Sequence, residues 1–344
     1  MAGRGLAAAG GNVSQQTAAL SRSPSGLVSI VVPAYRADRY LGESLGSIAR
    51  QEYRDWELIV VEDGSLGETE RLVRAFAERM PPEHRVVYLR HETNRGPSAA
   101  RNTALGQARG ELVAFLDADD VWRETHLTSA VEALSREPAD VAFSTALMFE
   151  DGTGHLIGLW GPTRERLLAA RPALRTFPNW LYHRNFIIPS ASVVRRRALD
   201  SVGGFDPELR LSEDLDLWLR CVKAGMTFVH IPGCHCLHRK GHAGTATGDL
   251  AAILRAQASV LEKHVGLPTM TRGLERSQVA YFYTAAGLFF LETDASAASQ
   301  LFFQGWRVRP LRLDLLLLAA WARVVLPYLP DFGLVRRFKR ARGY

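Results

Sequence analysis

From Leu27 onward, short apolar runs alternate with longer stretches whose apolar positions recur at helical spacing. LVSIVVP (27–33) is a β-branched run stopped by proline, and WELIVVEDGS (56–65) runs apolar into two acids and a glycine turn. RVVYLRH (85–91), ELVAFLDADD (111–120) and DVAFSTALM (140–148) repeat the strand pattern. Between them, RYLGESLGSIARQ (39–51) puts Leu41, Leu45 and Ile48 on one helical face, a polar helix reaches Met80, and SAARNTALGQARG (98–110) is a helix that Gly110 stops. Strands that are apolar throughout are buried on both faces. Alternated with helices, they predict an α/β fold, a mostly parallel sheet with helices on both faces.

The pattern loosens from about 150 to 186. FIIPSASVVRRRAL (186–199) then reads as a strand and short helix, GGFD (203–206) as a turn, SEDLDLWLRCVKAG (212–225) as an amphipathic helix and TFVHIPG (227–233) as a strand. Beyond Asp249 only helical patterns occur. The chain thus divides into a lead-in (1–26), an α/β domain (27–245) and a helical C-terminal region (246–344). The lead-in is rich in Ala, Gly, Ser and Gln and has no continuous apolar core, so it reads as disordered rather than as an export signal. LDLLLLAAWARVVLPYL (313–329) is interrupted by Asp314 and Arg323 and ended by Pro327; it reads as a core or interfacial helix, not a membrane span.

Composition changes this picture little. With 344 residues, 47% hydrophobic and 23% charged, the chain has room for a sizeable core. The net charge of +6 is uneven, and the closing segment VRRFKRARGY (335–344) is basic without an acid. Behind an apolar helix, it suggests peripheral contact with an anionic membrane, or else a solvated tail. Three cysteines, Cys221, Cys234 and Cys236, do not make a disulfide framework and point to a reducing cytoplasm, where the protein would sit on the inner face of the membrane. In HIPGCHCLHRKGH (230–242) a strand would put Cys234, Cys236 and His238 on one face. The Cys-x-Cys spacing lacks a second pair, so partly buried cysteines and a polar loop fit better than structural zinc.

The acids carry the candidate chemistry. Glu62 and Asp63 end one strand and Asp117, Asp119 and Asp120 end another, and open α/β sheets bind ligands outside the carboxyl ends of their strands. Three carboxylates so close repel one another, and Mg²⁺ or Mn²⁺ would relieve the repulsion. A solvated turn that caps the next helix fits the triplet too. The absence of Gly-x-Gly-x-x-Gly after the first strand, and of a Walker loop, removes the main support for dinucleotide oxidoreductases and P-loop enzymes. Phosphate would then be held by metal and arginine. Arg101, early in a helix that follows NRGPS, is either part of an anion site or a surface side chain. Ser212 is a candidate N-cap, and Glu213 and Asp214 in the next turn either favour the helix dipole or supply a general base.

Taken in order, VSIVVPAYRADRYLGESLGSIARQEYRDWELIVVEDGS, NRGPSAARN, GELVAFLDADDVW and VGGFDPELRLSEDLDLWLRC resemble family 2 of the glycosyltransferases, with the GT-A nucleotide-sugar fold, over 27–245. The resemblance implies that Pro33 and Tyr35 border the nucleoside and that Asp63 hydrogen-bonds the base, typically uracil. Glu62 stands where many relatives have an aspartate. It implies that Arg101 contacts the nucleotide, that Asp117-Ala118-Asp119 is the Asp-x-Asp element on the ribose and the metal–diphosphate, and that Asp120 shares the metal. Asp214 would be the catalytic base with Glu213 beside it. Arg239 and His242 would belong to a loop that closes on the diphosphate, although HRKGH departs from the usual spacing. The implied activity is inverting, metal-dependent transfer from a UDP-sugar, with Mg²⁺ or Mn²⁺, to a hydroxyl of a glycan or lipid-linked acceptor in cell-surface polysaccharide synthesis, with no nucleic-acid partner. The alternatives are a nucleotidyltransferase that shares the nucleotide edge and a nucleotide-sugar-binding protein without activity.

Overall fold

β1 (Val28–Ala34) and β2 (Trp56–Asp63) are buried along nearly their whole length, as their unbroken apolar runs predict. The computed structural model describes residues 26–161, 181, 185–241, 249–266, 273–291, 294–310 and 312–324. Successive side chains of a strand point to opposite faces, and the two cores follow that parity. Ile30, Val32, Leu58 and Val60 pack with Leu41, Leu45 and Ile48 of α1 (Asp38–Ala49). Val31, Ile59 and Val61 pack on the other face with Ala100 and Ala104 of α3 (Pro97–Leu105), which follows α2 (Thr69–Ala77).

β1 pairs in parallel with β2 and with β4 (Leu112–Phe115), and β2 pairs in parallel with β3 (Val86–His91). Past β4 the sheet becomes mixed. β8 (Ser192–Arg195) lies antiparallel between β4 and β6 (Val141–Glu150), and β9 (Phe228–Lys240) runs parallel to β6. The short β5 (Val121–Trp122) is antiparallel to β9, and β7 (Leu156–Trp160) folds back on β6. The order is β3-β2-β1-β4-β8-β6-β9-β5, with β7 beside β6. The expected parallel sheet therefore holds for the first four strands, and the later strands bring in both senses.

Two differences from the sequence reading have local causes. β7 falls in a stretch read as loop, because its side chains do not alternate: Leu156, Ile157 and Leu159 are all exposed. The hairpin is made by Gly152 and Gly154, both at positive φ, and needs no apolar signal. β9 runs through the Cys/His segment to Lys240 because its backbone pairs with β6 as far as Glu150.

α4 (His126–Arg136), α5 (Arg196–Val202) and α6 (Glu213–Lys223) complete the α/β part. The C-terminal region is helical, as expected: α7 (Leu250–Lys263), α8 (Leu274–Phe290), α9 (Ala295–Val308) and α10 (Leu313–Val324). Asp249 and Asp294 cap α7 and α9 by accepting from the amides of Ala252 and Ala297. Leu254, Ala258 and Leu261 of α7 and Phe282 and Ala286 of α8 belong to the same core as Phe115 of β4 and Trp218 of α6. No helix among the described residues is long and apolar enough to cross a membrane. Leu313 and Leu317, one turn apart on α10, are exposed. The basic segment 335–344, on which the expected membrane contact rests, lies outside the described residues.

One turn after β2 depends on glycine. Gly64 has φ +70, and a Cβ there would come within 2.2 Å of the backbone carbon of Thr93. Gly64→Ala should lower Tm by roughly 5 °C or more, since the left-handed conformation alone costs about 1–2 kcal/mol and the clash adds to it. A thermal melt followed by circular dichroism measures this.

Candidate active site

The parallel strands β1, β2 and β4 end at one edge, and the candidate residues gather there. At the end of β1, Pro33 is half-buried and Tyr35 is 45% exposed, with the Arg36 guanidinium 5.1 Å from the Tyr35 ring centre. Arg36 has φ 51, a conformation rare for a side-chain-bearing residue. Its amide donates to Ser65 Oγ, which in turn donates to Glu62 Oε1. The first loop is thus held by the second.

Glu62 and Asp63 do not present free carboxylates. Glu62 is buried and accepts from Ser65 and from the Tyr88 hydroxyl. Asp63 is buried too, and takes the amides of Arg95 (2.9 Å) and Gly96 (2.7 Å) together with His91 Nδ1 (2.7 Å). These bonds tie Asp63, the residue expected at the base, to the loop that begins α3. Asp63 fixes where α3 starts, and so where Arg101 stands.

Arg101 is 3% exposed. Its Nη2 donates to Asp117 Oδ1 (2.6 Å) and its Nη1 to Glu213 Oε1 (2.8 Å), and the guanidinium lies 5.1 Å from the Phe205 ring centre. It is not a surface arginine. It joins the acidic turn after β4 to the first turn of α6.

The three acids of that turn part company. Asp117 and Asp119 are half-buried at the opening. The Asp117 amide donates to Ser190 Oγ (3.0 Å), in the one-turn 3-10 helix Pro189–Ala191 that precedes β8. Asp120 is fully buried, and it accepts from His238 Nδ1 (2.9 Å), the Arg239 amide (3.0 Å) and the Ser190 hydroxyl. Asp120, expected to share the metal, is turned onto β9 by these bonds. Burial pushes the Asp120 carboxyl up, but His238 and the other donors outweigh it and hold it below the ordinary range. His238 is correspondingly raised: burial lowers it and the Asp120 charge more than restores it.

β9 decides which cation faces the acids. Its register slips against β6 between Ile231 and Cys236, and alternation resumes beyond the slip. His238 and Lys240 share one face, and Arg239 takes the other. Arg239 is buried, with Nε on the Asp119 carbonyl (2.9 Å), Nη1 on Asp151 (3.1 Å) and Nη2 on Glu43 (2.5 Å). Its guanidinium packs on the Tyr40 and Phe149 rings beside an open cleft of about 340 Å³. Arg239, expected on the diphosphate, thus holds the backbone carbonyl of Asp119. The cation on the acid side is Lys240, which the sequence reading missed. Burial lowers the Lys240 ammonium from its ordinary value, against the opposing pull of Asp120, Asp119, Asp117 and Asp214. The signal that could have found it is its shared parity with His238. His242 lies outside the described residues.

Asp214 stands in the first turn of α6 after Ser212, itself at φ 60 without a side-chain cap bond. Asn185, a second residue missed because its stretch read as loop, donates to Asp214 Oδ2 (2.8 Å), and the Leu215 amide donates to Oδ1 (2.8 Å). Burial, then the neighbouring Glu213 charge, pushes the Asp214 carboxyl up to about 7, against the lowering by Asn185, Leu215 and Arg101. A carboxylate near pH 7 can take a proton from a hydroxyl at working pH. Glu213 is tied to Arg101, whereas Asp214 is not.

A divalent cation fits the donors on this edge. Among the described residues no group of three or more His, Cys, Asp or Glu forms a cage. The half-open Asp117 and Asp119 are two hard oxygen donors, the number Mg²⁺ commonly takes from protein when phosphates and water complete its shell. Cys234 and Cys236 are free thiols, and burial first of all keeps Cys236 protonated.

Comparison with known proteins agrees with this edge. The family model described as Glycosyl transferase family 2 matches residues 29–203. A putative teichuronic acid biosynthesis glycosyltransferase, TuaG of Bacillus subtilis, is 32% identical over 215 residues, 62% of this chain and 79% of that protein. The Escherichia coli UDP-Glc:alpha-D-GlcNAc-diphosphoundecaprenol beta-1,3-glucosyltransferase WfgD is 41% identical over 96 residues, 28% of this chain and 36% of its own length. The crystal structure of residues 1–349 of S. aureus TarS in complex with UDP-GlcNAc superposes with a TM-score of 0.63 over 92% of both chains at 18% identity, a likeness of fold. The Asp-Ala-Asp turn, the mixed sheet and the matched region converge: the chain belongs to glycosyl transferase family 2 and is a glycosyltransferase.

Proposed function

We propose that the protein transfers the sugar of a UDP-sugar, with inversion at the anomeric carbon, to a hydroxyl of a glycan or lipid-linked acceptor in cell-surface polysaccharide synthesis. The observation that carries the reading is Asp214, held near pH 7 beside the acidic turn to which Arg101 joins its helix. The half-exposed Tyr35 at the end of β1 offers a face for a nucleoside base. Asp117 and Asp119 would hold Mg²⁺ or Mn²⁺ together with the donor diphosphate. That ion would act as a Lewis acid on the leaving diphosphate. Lys240 adds a fixed positive charge on the same side, where negative charge grows as the glycosidic bond breaks. Asp214 takes the proton of the acceptor hydroxyl as that oxygen attacks. One base opposite one leaving group gives a single displacement, hence inversion. UDP as nucleotide and a polysaccharide or lipid-linked acceptor are supported by what the relatives named above act on or take part in.

Asp214→Asn should lower UDP release from a UDP-sugar by about 10²–10⁴-fold. The wild-type rate should rise with pH through about 7, because the base acts only when ionised. The stability sign is opposite. The folded state favours the neutral acid, so this group's contribution is fully present below about pH 4 and is lost as pH rises through about 7. Asp214→Asn should therefore not lower Tm at pH 8, and a rate loss that merely follows a lower Tm would count against the base. Lys240→Met should reduce kcat/KM for the donor by about 10–100-fold, the size of a charged hydrogen bond; an unchanged value removes Lys240 from the site. In a thermal-shift panel of UDP, GDP, dTDP and CDP, UDP with Mn²⁺ should give the largest rise in Tm, and loss of that rise in Asp117→Asn would place the ion on the acidic turn.

A further inference from the structure

Two of the three acids of α6, Asp214 and Asp216, lie on different sides of the helix. Asp214 and Trp218 are one turn apart, and both hold the segment that leads into β8: Asn185 donates to Asp214 (2.8 Å), and Trp218 Nε1 donates to the Ile187 carbonyl (3.0 Å). Asp216 lies two residues on, about 200° around the helix, and is fully buried. Its Oδ2 accepts from Arg220 Nε (2.7 Å), while its Oδ1 accepts from Lys263 Nζ (2.9 Å) and His264 Nε2 (2.9 Å) at the end of α7. Lys263 also reaches Asp206 Oδ2 (2.8 Å), next to the Phe205 ring that lies under Arg101. Arg220 Nη1 donates in turn to the Val202 carbonyl (2.7 Å).

The start of α6 needs such a hold. Ser212 sits at φ 60 and makes no side-chain cap bond, so neither its conformation nor its hydroxyl fixes the turn that carries Glu213 and Asp214. Strain of this kind persists only where the surroundings over-determine it. The Ser212 carbonyl accepts from the Asp216 amide (3.1 Å), so the residue that closes the first turn is also the residue gripped by α7. Apolar contacts already attach α7 to the core. A buried carboxylate with three donors adds little net stability over an apolar contact; what it adds is a fixed direction.

We propose that Asp216 is a positioning residue for Asp214, and that the first C-terminal helix, through Lys263 and His264, holds the base-bearing turn in register, which makes the helical region part of the catalytic unit. The proposal rests on Asp214 as the base, and its test separates the two. Asp216→Asn, Lys263→Met and Lys263→Arg are compared with wild type in the full chain, by amide hydrogen exchange over 212–218 and by the kinetics of UDP release from UDP-GlcNAc with Mn²⁺. In Asp216→Asn and Lys263→Met, exchange of the Asp216 and Leu217 amides should quicken and kcat should fall, each by about tenfold, the scale of one charge-assisted hydrogen bond. KM for UDP-GlcNAc should stay within about twofold, since a base acts on the barrier more than on donor binding. Lys263→Arg, which keeps the donor and the charge, should restore both. If exchange quickens only within α7 while 212–218 is unchanged, or if kcat falls only in proportion to a lower Tm, the proposal is overturned. If wild-type protein releases no UDP, the reading of Asp214 is what fails, and exchange over 212–218 still decides the brace.

Discussion

A guanidinium buried between two carboxylates of different elements sets the geometry on which the rest of the site depends. Arg101 has almost no contact with solvent, and a buried charge persists only when paired and hydrogen-bonded. Its partners, Asp117 after β4 and Glu213 at the start of α6, are 96 residues apart along the chain, yet both must come to one side chain. Removing Arg101 would leave two carboxylates side by side without their counter-charge, a far larger penalty than losing an exposed ion pair. The arrangement has its own foundation. α3 carries Arg101, and its start is set by the Asp63 carboxylate through the amides of Arg95 and Gly96.

Around that link, acids of the same type take different tasks by environment alone. Asp120 is buried against His238 and held ionised as an internal anchor. Asp117 and Asp119 remain at the opening. Asp214 is half-buried beside another carboxylate, and desolvation with that charge makes it a weak acid. Separation of this kind is what the proposed division of labour needs, one pair of acids for a cation and another for a proton. Lys240 feels the charge of the same acids.

The C-terminal helices add to this arrangement rather than standing apart from it. α7 and α8 contribute to the core that also holds Phe115 and Trp218, and the end of α7 grips Asp216 on the helix that carries the base. A change made in those helices would therefore be felt at the first turn of α6.

What the sequence determined by itself was whatever depends on local pattern. Unbroken apolar runs marked β1, β2 and β4, helical spacing marked α1 and α6, and the acids that end the strands marked the ligand edge, because burial and helix periodicity repeat within a few residues. Asp117, Asp119 and Asp214 were visible as acids at a strand end and in a first helical turn, and the family resemblance alone implied roles for them. Tertiary structure alone decided which of two neighbours faces the ligand edge. Arg239 and Lys240 are adjacent, and a register slip in β9 sends the arginine behind the acids and the lysine toward them. Side chains alternate along a strand, so one residue of slip reverses every assignment beyond it. Asp63 and Arg101 were likewise visible as residues but not as partners. Their bonds close loops of 32 residues to Arg95 and 112 residues to Glu213, and nothing in the local pattern says which distant donor or acceptor will fold back to meet them.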